Sequence, residues 1–180
     1  VETVNGTIRI DDNAVIEEAS TVNGGIKIGS QVRTQSLDTV NGAIRVADNG
    51  HIDGNISAVN GAIDLGAGTF VDRNVGNVNG AITLDGVEVG GDVETGNGDI
   101  ELSDGAVVRG DIIVEKPKRI GWFGGDSRTP EVIIGPGCRV DGTLRLEREV
   151  KLYISESAAV GGVDGVMSMS DAVRFSGRRP

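Results

Sequence analysis

Short alternating runs such as Ala43-Ile44-Arg45-Val46 and Asp99-Ile100-Glu101-Leu102 place two aliphatic side chains on one face of an extended segment and a charged one on the other. They are β-branched and bounded by glycine, which predicts short strands. The runs return in register over most of the chain. One aliphatic slot holds Ile8, Ile26, Ile44, Ile63, Ile82 and Ile100, and the next holds Ile10, Ile28, Val46, Leu65, Leu84 and Leu102. A valine slot precedes them at Val4, Val22, Val40, Val59 and Val78.

An asparagine followed by glycine stands between the valine and the isoleucine. These asparagines are Asn5, Asn23, Asn41, Asn60, Asn79 and Asn97, at spacings of 18, 18, 19, 19 and 18. A fixed period of about 18 residues is too short for a helical-hairpin repeat and matches one turn of a β-solenoid. The pattern therefore predicts an all-β fold, a single-stranded parallel β-helix. A meander built on Asn-Gly hairpins needs a rhythm of roughly ten residues, which the chain does not keep.

A second element of the same form, aliphatic-x-Gly-x-aliphatic, recurs at 52–56, 89–93, 108–112 and 140–144. Each coil thus has at least two corners with a glycine where a Cβ would crowd the bend. If coils stack about 4.8 Å apart, every repeated side chain sits above its own copy. The six asparagines can then pass a hydrogen bond from amide to carbonyl along the stack, as an asparagine ladder.

The pattern stops at residues 116–131, KPKRIGWFGGDSRTPE, and resumes at Val132. Lys116, Lys118, Arg119, Trp122, Phe123 and Arg128 make this loop the candidate partner-binding segment, since insertions between repeats often lie on a binding face. The alternative is that Trp122 and Phe123 fold back over a coil edge, as aromatic residues in loops most often do. Beyond the loop, Leu152, Ile154, Val160 and Val163 read as inward positions of degenerate coils. Residues 1–166 are thus a solenoid interrupted by the loop, and 167–180 are a cap over the open core with a frayed basic tail.

Composition narrows the chemistry. Aromatic residues are 3% of the 180 and glycine supplies 29, so the interior is thin and aliphatic. The net charge of −10 argues against a nucleic-acid partner, because phosphate binding draws on clustered Lys and Arg. Charge is uneven along the chain: residues 61–115 carry 2 basic and 11 acidic groups, residues 116–180 carry 11 and 8. No apolar run approaches the ~18 residues of a membrane span. The chain opens in the middle of a repeat, which suggests an upstream segment such as an export signal.

His51 is the sole histidine and Cys138 the sole cysteine. His51 is expected to face solvent and Cys138 to pack as a small buried residue. Neither a zinc site nor a catalytic triad is assembled on the usual pattern, and no cofactor is implied. Asp85, Glu88, Asp92, Glu94, Asp99, Glu101, Asp104 and Asp111 could hold Ca²⁺ or supply a glycosidase pair, against the default of solvated surface. An outward column runs Arg9, Lys27, Arg45, then Asp64, Thr83, Glu101. Its stacked cations call for neutralisation, expected from Asp11, Asp12 and Asp48.

At residues 51–71, HIDGNISAVNGAIDLGAGTFV, and 132–144, VIIGPGCRVDGTL, the chain resembles the bactofilin family of bacterial polymer-forming β-helix proteins. It is also similar to exported β-strand-repeat proteins of bacterial envelopes with Asn-Gly-rich coils. The resemblance implies a right-handed helix of triangular section, no catalytic residues, and assembly through the ends of the stack. The loop and the strict asparagine column depart from the bactofilin pattern. Hexapeptide acyltransferases keep a six-residue beat and a catalytic histidine in a cleft, unlike the uneven intervals here.

The function expected is a non-enzymatic structural or interaction scaffold of the cell envelope, periplasmic or at the cell surface, with the cytoplasm as the alternative compartment. The other function weighed is a carbohydrate-binding or carbohydrate-active β-helix. Partners expected are a protein, an envelope polysaccharide, or a second copy in a two-fold dimer through the N-terminal coil of Val4, Ile8 and Ile10. Replacing the loop by a short turn should leave the β-type circular dichroism intact, because flanking coils carry the pattern. Unfolding of the shortened chain would place Trp122 and Phe123 in the core.

Overall fold

The computed structural model describes residues 1–116 and 128–180, so Lys118, Arg119, Trp122 and Phe123 lie outside the described residues. The aliphatic slots close a continuous core, and the chain is an all-β parallel solenoid of about nine coils at roughly 19 residues per turn. Among the described residues, every strand pairing is parallel and joins a segment to its copy in the adjacent coil.

Each coil contributes to three strand stacks. The first, here the ladder face, comprises Glu2–Asn5, Glu18–Asn23, Ser36–Asn41, Ile56–Asn60, Val75–Asn79, Val93–Thr95 and Ile112–Val114. The second runs from Ile8–Ile10 through Ile26–Ile28, Ile44–Val46, Ile63–Leu65, Ile82–Asp85 and Ile100–Ser103 to Glu131–Ile134 and Lys151–Ser155. The third is built of two-residue strands, from Arg33–Thr34 to Val107–Val108. Arg139–Leu146 turns the corner between the third stack and the ladder face and belongs to both.

Stacking explains the glycines. A Cβ on Gly24, Gly42, Gly61, Gly80 or Gly98 would drive into the backbone carbonyl of the glycine one coil earlier. The asparagine corner is therefore closed to any other residue. The corner between the second and third stacks was not legible as a repeat. It uses left-handed backbone at Asn13, Gln31, Asn49, Gly68, Gly86 and Gly137, with φ between 58° and 72°. Asparagine and glycine tolerate that region, so side-chain identity drifts while the conformation repeats.

Two polar columns lock the remaining corners. On the surface, Asn23, Asn41, Asn60, Asn79 and Asn97 each donate from Nδ2 to the Oδ1 of the preceding asparagine, at 2.9–3.1 Å. At the third corner the side chains of Asn55, Asn74, Asp92 and Asp111 accept the backbone N–H one coil later, from Asn74, Asp92, Asp111 and Thr143, at 2.7–3.1 Å. Inside the asparagine corner, Asn77 donates to the carbonyls of Gly80 and Gly61, and Thr95 donates to Asn77 Oδ1 at 2.7 Å. Among the described residues, no buried side-chain polar atom lacks a partner.

The valine slot differs from the isoleucine slots: Val4, Val22, Val40, Val59 and Val78 are 38–63% exposed. Strand alternation is the cause, since Thr21 and Thr39 immediately before them point inward. The C-terminal tail also does more than fray. Val173–Phe175 adds a strand beside Tyr153–Ser155, Phe175 is buried, and Arg179 and Arg178 reach back to Glu101 at 2.9 Å and Asp104 at 3.3 Å.

The two kinds of asparagine should separate on mutation. Ala58 occupies the place of Asn77 one coil earlier, so Asn77→Ala fits sterically but strands the Thr95 hydroxyl and two carbonyls, costing about 1–3 kcal/mol. Asn60→Ala removes exposed bonds that water replaces, costing about 0.5–1.5 kcal/mol. Thermal melts should place Asn77→Ala clearly lower, and equal or reversed losses would contradict this account of the two columns.

Candidate functional site

The loop leaves from the asparagine corner. Ile112–Val114 ends the ladder face before it, and Glu131–Ile134 resumes the second stack directly on Ile100–Ser103. Its feet are held by ionic contacts. The Lys116 N–H donates to Glu147 Oε2 at 3.1 Å, Arg128 pairs with Asp99 at 2.7 Å, and the Glu131 N–H donates to the other Asp99 oxygen at 2.8 Å. Of the six candidate loop residues, these contacts place Lys116 and Arg128 beside the end of the ladder.

Arg148 joins the two features. Its Nη1 donates to Asn97 Oδ1 at 2.9 Å and its Nη2 to the Arg128 carbonyl at 3.1 Å. The ladder asparagines are all exposed, and so are the five valines beside them. The face is thus a regular polar column, whose hydrogen bonds are made within itself, flanked by an apolar stripe that ends at Val78, where Gly96 follows in the next coil.

A carboxylate cluster lies at the same end. Glu94 lies above the usual glutamate range, first because burial strips water from its charged form, then through a hydrogen bond with Glu115 and the charges of Glu115, Asp92 and Glu147. Sequence separation hid this group, since Glu94, Glu115 and Glu147 come from different coils.

His51 is not the isolated surface residue that the sequence suggests. It is half-buried, with Nε2 2.9 Å from Asp53 Oδ1 and 3.6 Å from Asp72 Oδ1. Arg33 grips Asp53 from the preceding coil with Nε and Nη2 at 3.0 and 2.8 Å. The Phe70 ring stands over the imidazole at 5.3 Å from one coil later. Cys138 is buried, as the sequence suggests, and burial raises its thiol above the usual range.

The basic column is neutralised differently from the sequence expectation. Arg45 pairs with Asp64 one coil later at 3.1 Å. Asp12 instead accepts the Ser30 N–H at 2.7 Å. The acidic half of the column receives the tail, through Arg179 on Glu101.

The fold and these surfaces define the class as a parallel β-solenoid with a self-bonded asparagine face. No family model matches the chain, and no curated protein or solved structure matches it.

The raised Glu94 fixes a pH dependence. A carboxyl with a folded value above its unfolded one favours the native state when protonated, so its contribution increases as pH falls from neutral toward the ordinary glutamate range and is lost as pH rises. Asp38, raised chiefly by burial, acts in the same sense. Glu94→Gln should therefore raise the melting temperature at about pH 7 and flatten its change between about pH 7 and 5. A variant that melts lower at neutral pH would overturn this assignment.

Proposed function

We propose that the chain is a non-enzymatic structural or interaction scaffold of the bacterial cell envelope, acting in the periplasm or at the cell surface. The observation that carries this reading is the ladder face. Five amide-to-carbonyl bonds of 2.9–3.1 Å hold its asparagines to one another, and the valines beside them form an exposed apolar column. A regular apolar stripe on a stiff support suits docking more than turnover. The coil likeness to bactofilins and exported β-strand repeats supports the envelope assignment.

The partner in this reading is an envelope protein or polysaccharide meeting the valine column and the adjoining loop. The alternative is a carbohydrate-active reading, for which Glu94, raised by burial and by Glu115, is the general-acid candidate; its hydrogen-bonded contact with Glu115 is closer than the roughly 5–9.5 Å that separates the two carboxyls of a glycosidase, so a second carboxylate would have to act with it.

Incubation of the purified chain with envelope fragments of the producing bacterium separates these readings. The scaffold reading expects the chain to pellet with the fragments, to release no soluble sugar, and to pellet several-fold less after Val40→Lys with Val59→Lys. Sugar release abolished by Glu94→Gln would replace it with the carbohydrate-active reading. A chain that stays in the supernatant would remove the envelope partner.

A further inference from the structure

Beyond the scaffold role, the third stack assembles a ligand set that depends on neither the ladder face nor the loop. His51 opens the strand His51–Ile52, Asp53 follows it, and Asp72 follows Phe70–Val71 in the next coil. The Asp53 N–H donates to the Thr34 carbonyl and the Asp72 N–H to the Ile52 carbonyl, at 2.9 and 2.8 Å, so both carboxylates sprout from backbone fixed in the parallel ladder. One imidazole nitrogen and two carboxylate oxygens fall within 4.8 Å of one another. We propose that His51, Asp53 and Asp72 bind a divalent first-row transition ion of the zinc class.

The distances suit such an ion. Bonds of about 2.0–2.2 Å in a tetrahedral site put neighbouring ligand atoms roughly 3.3–3.5 Å apart. The observed 2.9 and 3.6 Å from His51 Nε2 straddle that span. A nitrogen and two oxygens favour Zn²⁺, Ni²⁺ or Cu²⁺ over Ca²⁺ and Mg²⁺, which take oxygen donors only. The three side chains are 30–42% exposed, which leaves the fourth position to water.

The surroundings supply the outer contacts that such ligands need. Arg33 holds both Asp53 oxygens, Nε on Oδ2 at 3.0 Å and Nη2 on Oδ1 at 2.8 Å, so metal binding requires the Nη2 contact to open while Nε keeps Oδ2. Phe70 packs beside the imidazole plane, tilted by 33°, and limits its rotation. Two coils contribute ligands, so the ion would bridge them.

Isothermal titration of the intact chain with ZnCl₂ tests the site, with circular dichroism as the check that each variant is folded. Saturable binding at one ion per chain is expected, unaffected by a tenfold excess of Mg²⁺. His51→Asn and Asp72→Asn should each weaken it at least tenfold, and Glu115→Gln, in the separate acidic cluster, should leave it unchanged. No saturable uptake, or uptake that survives His51→Asn, would overturn the proposal, the second by assigning Zn²⁺ to the general acidic surface. Failure here leaves the valine-column experiment untouched, because no residue is shared.

Discussion

Everything in this molecule follows from the spacing of parallel strands. Coils stacked at about 4.8 Å bring each residue against its own copy, so a side chain is accepted only if it tolerates a column of itself. Glycine tolerates it where carbonyls stack, because any Cβ at Gly61 or Gly98 would strike the glycine carbonyl one coil earlier. Asparagine tolerates it because an amide is both donor and acceptor. Like charges tolerate it poorly: the column stacks the three cations Arg9, Lys27 and Arg45 and then gives way to Asp64, which pairs with Arg45.

The same constraint decides what the sequence reveals. Columns demanding one residue type, such as the asparagines and the glycines that follow them, are legible as a period. Columns demanding only a conformation are not: Asn13, Gln31, Asn49 and Gly68 share a left-handed backbone but no common side chain. Orientation is also partly hidden. Asn77 and Asn79 differ by two positions, yet one is buried under the corner and the other is exposed, because the chain bends between them. The valines could be read as inward by their regularity alone, whereas alternation with Thr21 and Thr39 turns them out.

Sites are the least legible feature, since they form between coils. His51 meets Asp72, and Glu94 meets Glu115, only once the coil length is known to the residue. Coils of 18 and 19 residues absorb their difference in the turns, so the aliphatic slots and these polar meetings both stay in register.

The ladder has a direction, and its end explains the loop foot. Every amide in the column donates toward the N-terminal coil, which leaves Asn97 Oδ1 as the acceptor at the far end. The next register place falls on Lys116, two residues past Val114, which pairs with Thr95. Arg148 reaches over it to donate to Asn97 at 2.9 Å. A guanidinium only donates, so this contact fixes the amide orientation of Asn97 and, through each successive bond, that of the whole column. Arg148 also holds the Arg128 carbonyl at 3.1 Å. The residue that closes the ladder is thus the one that holds the Arg128 foot of the loop, so the regular surface and that foot are bonded through one side chain.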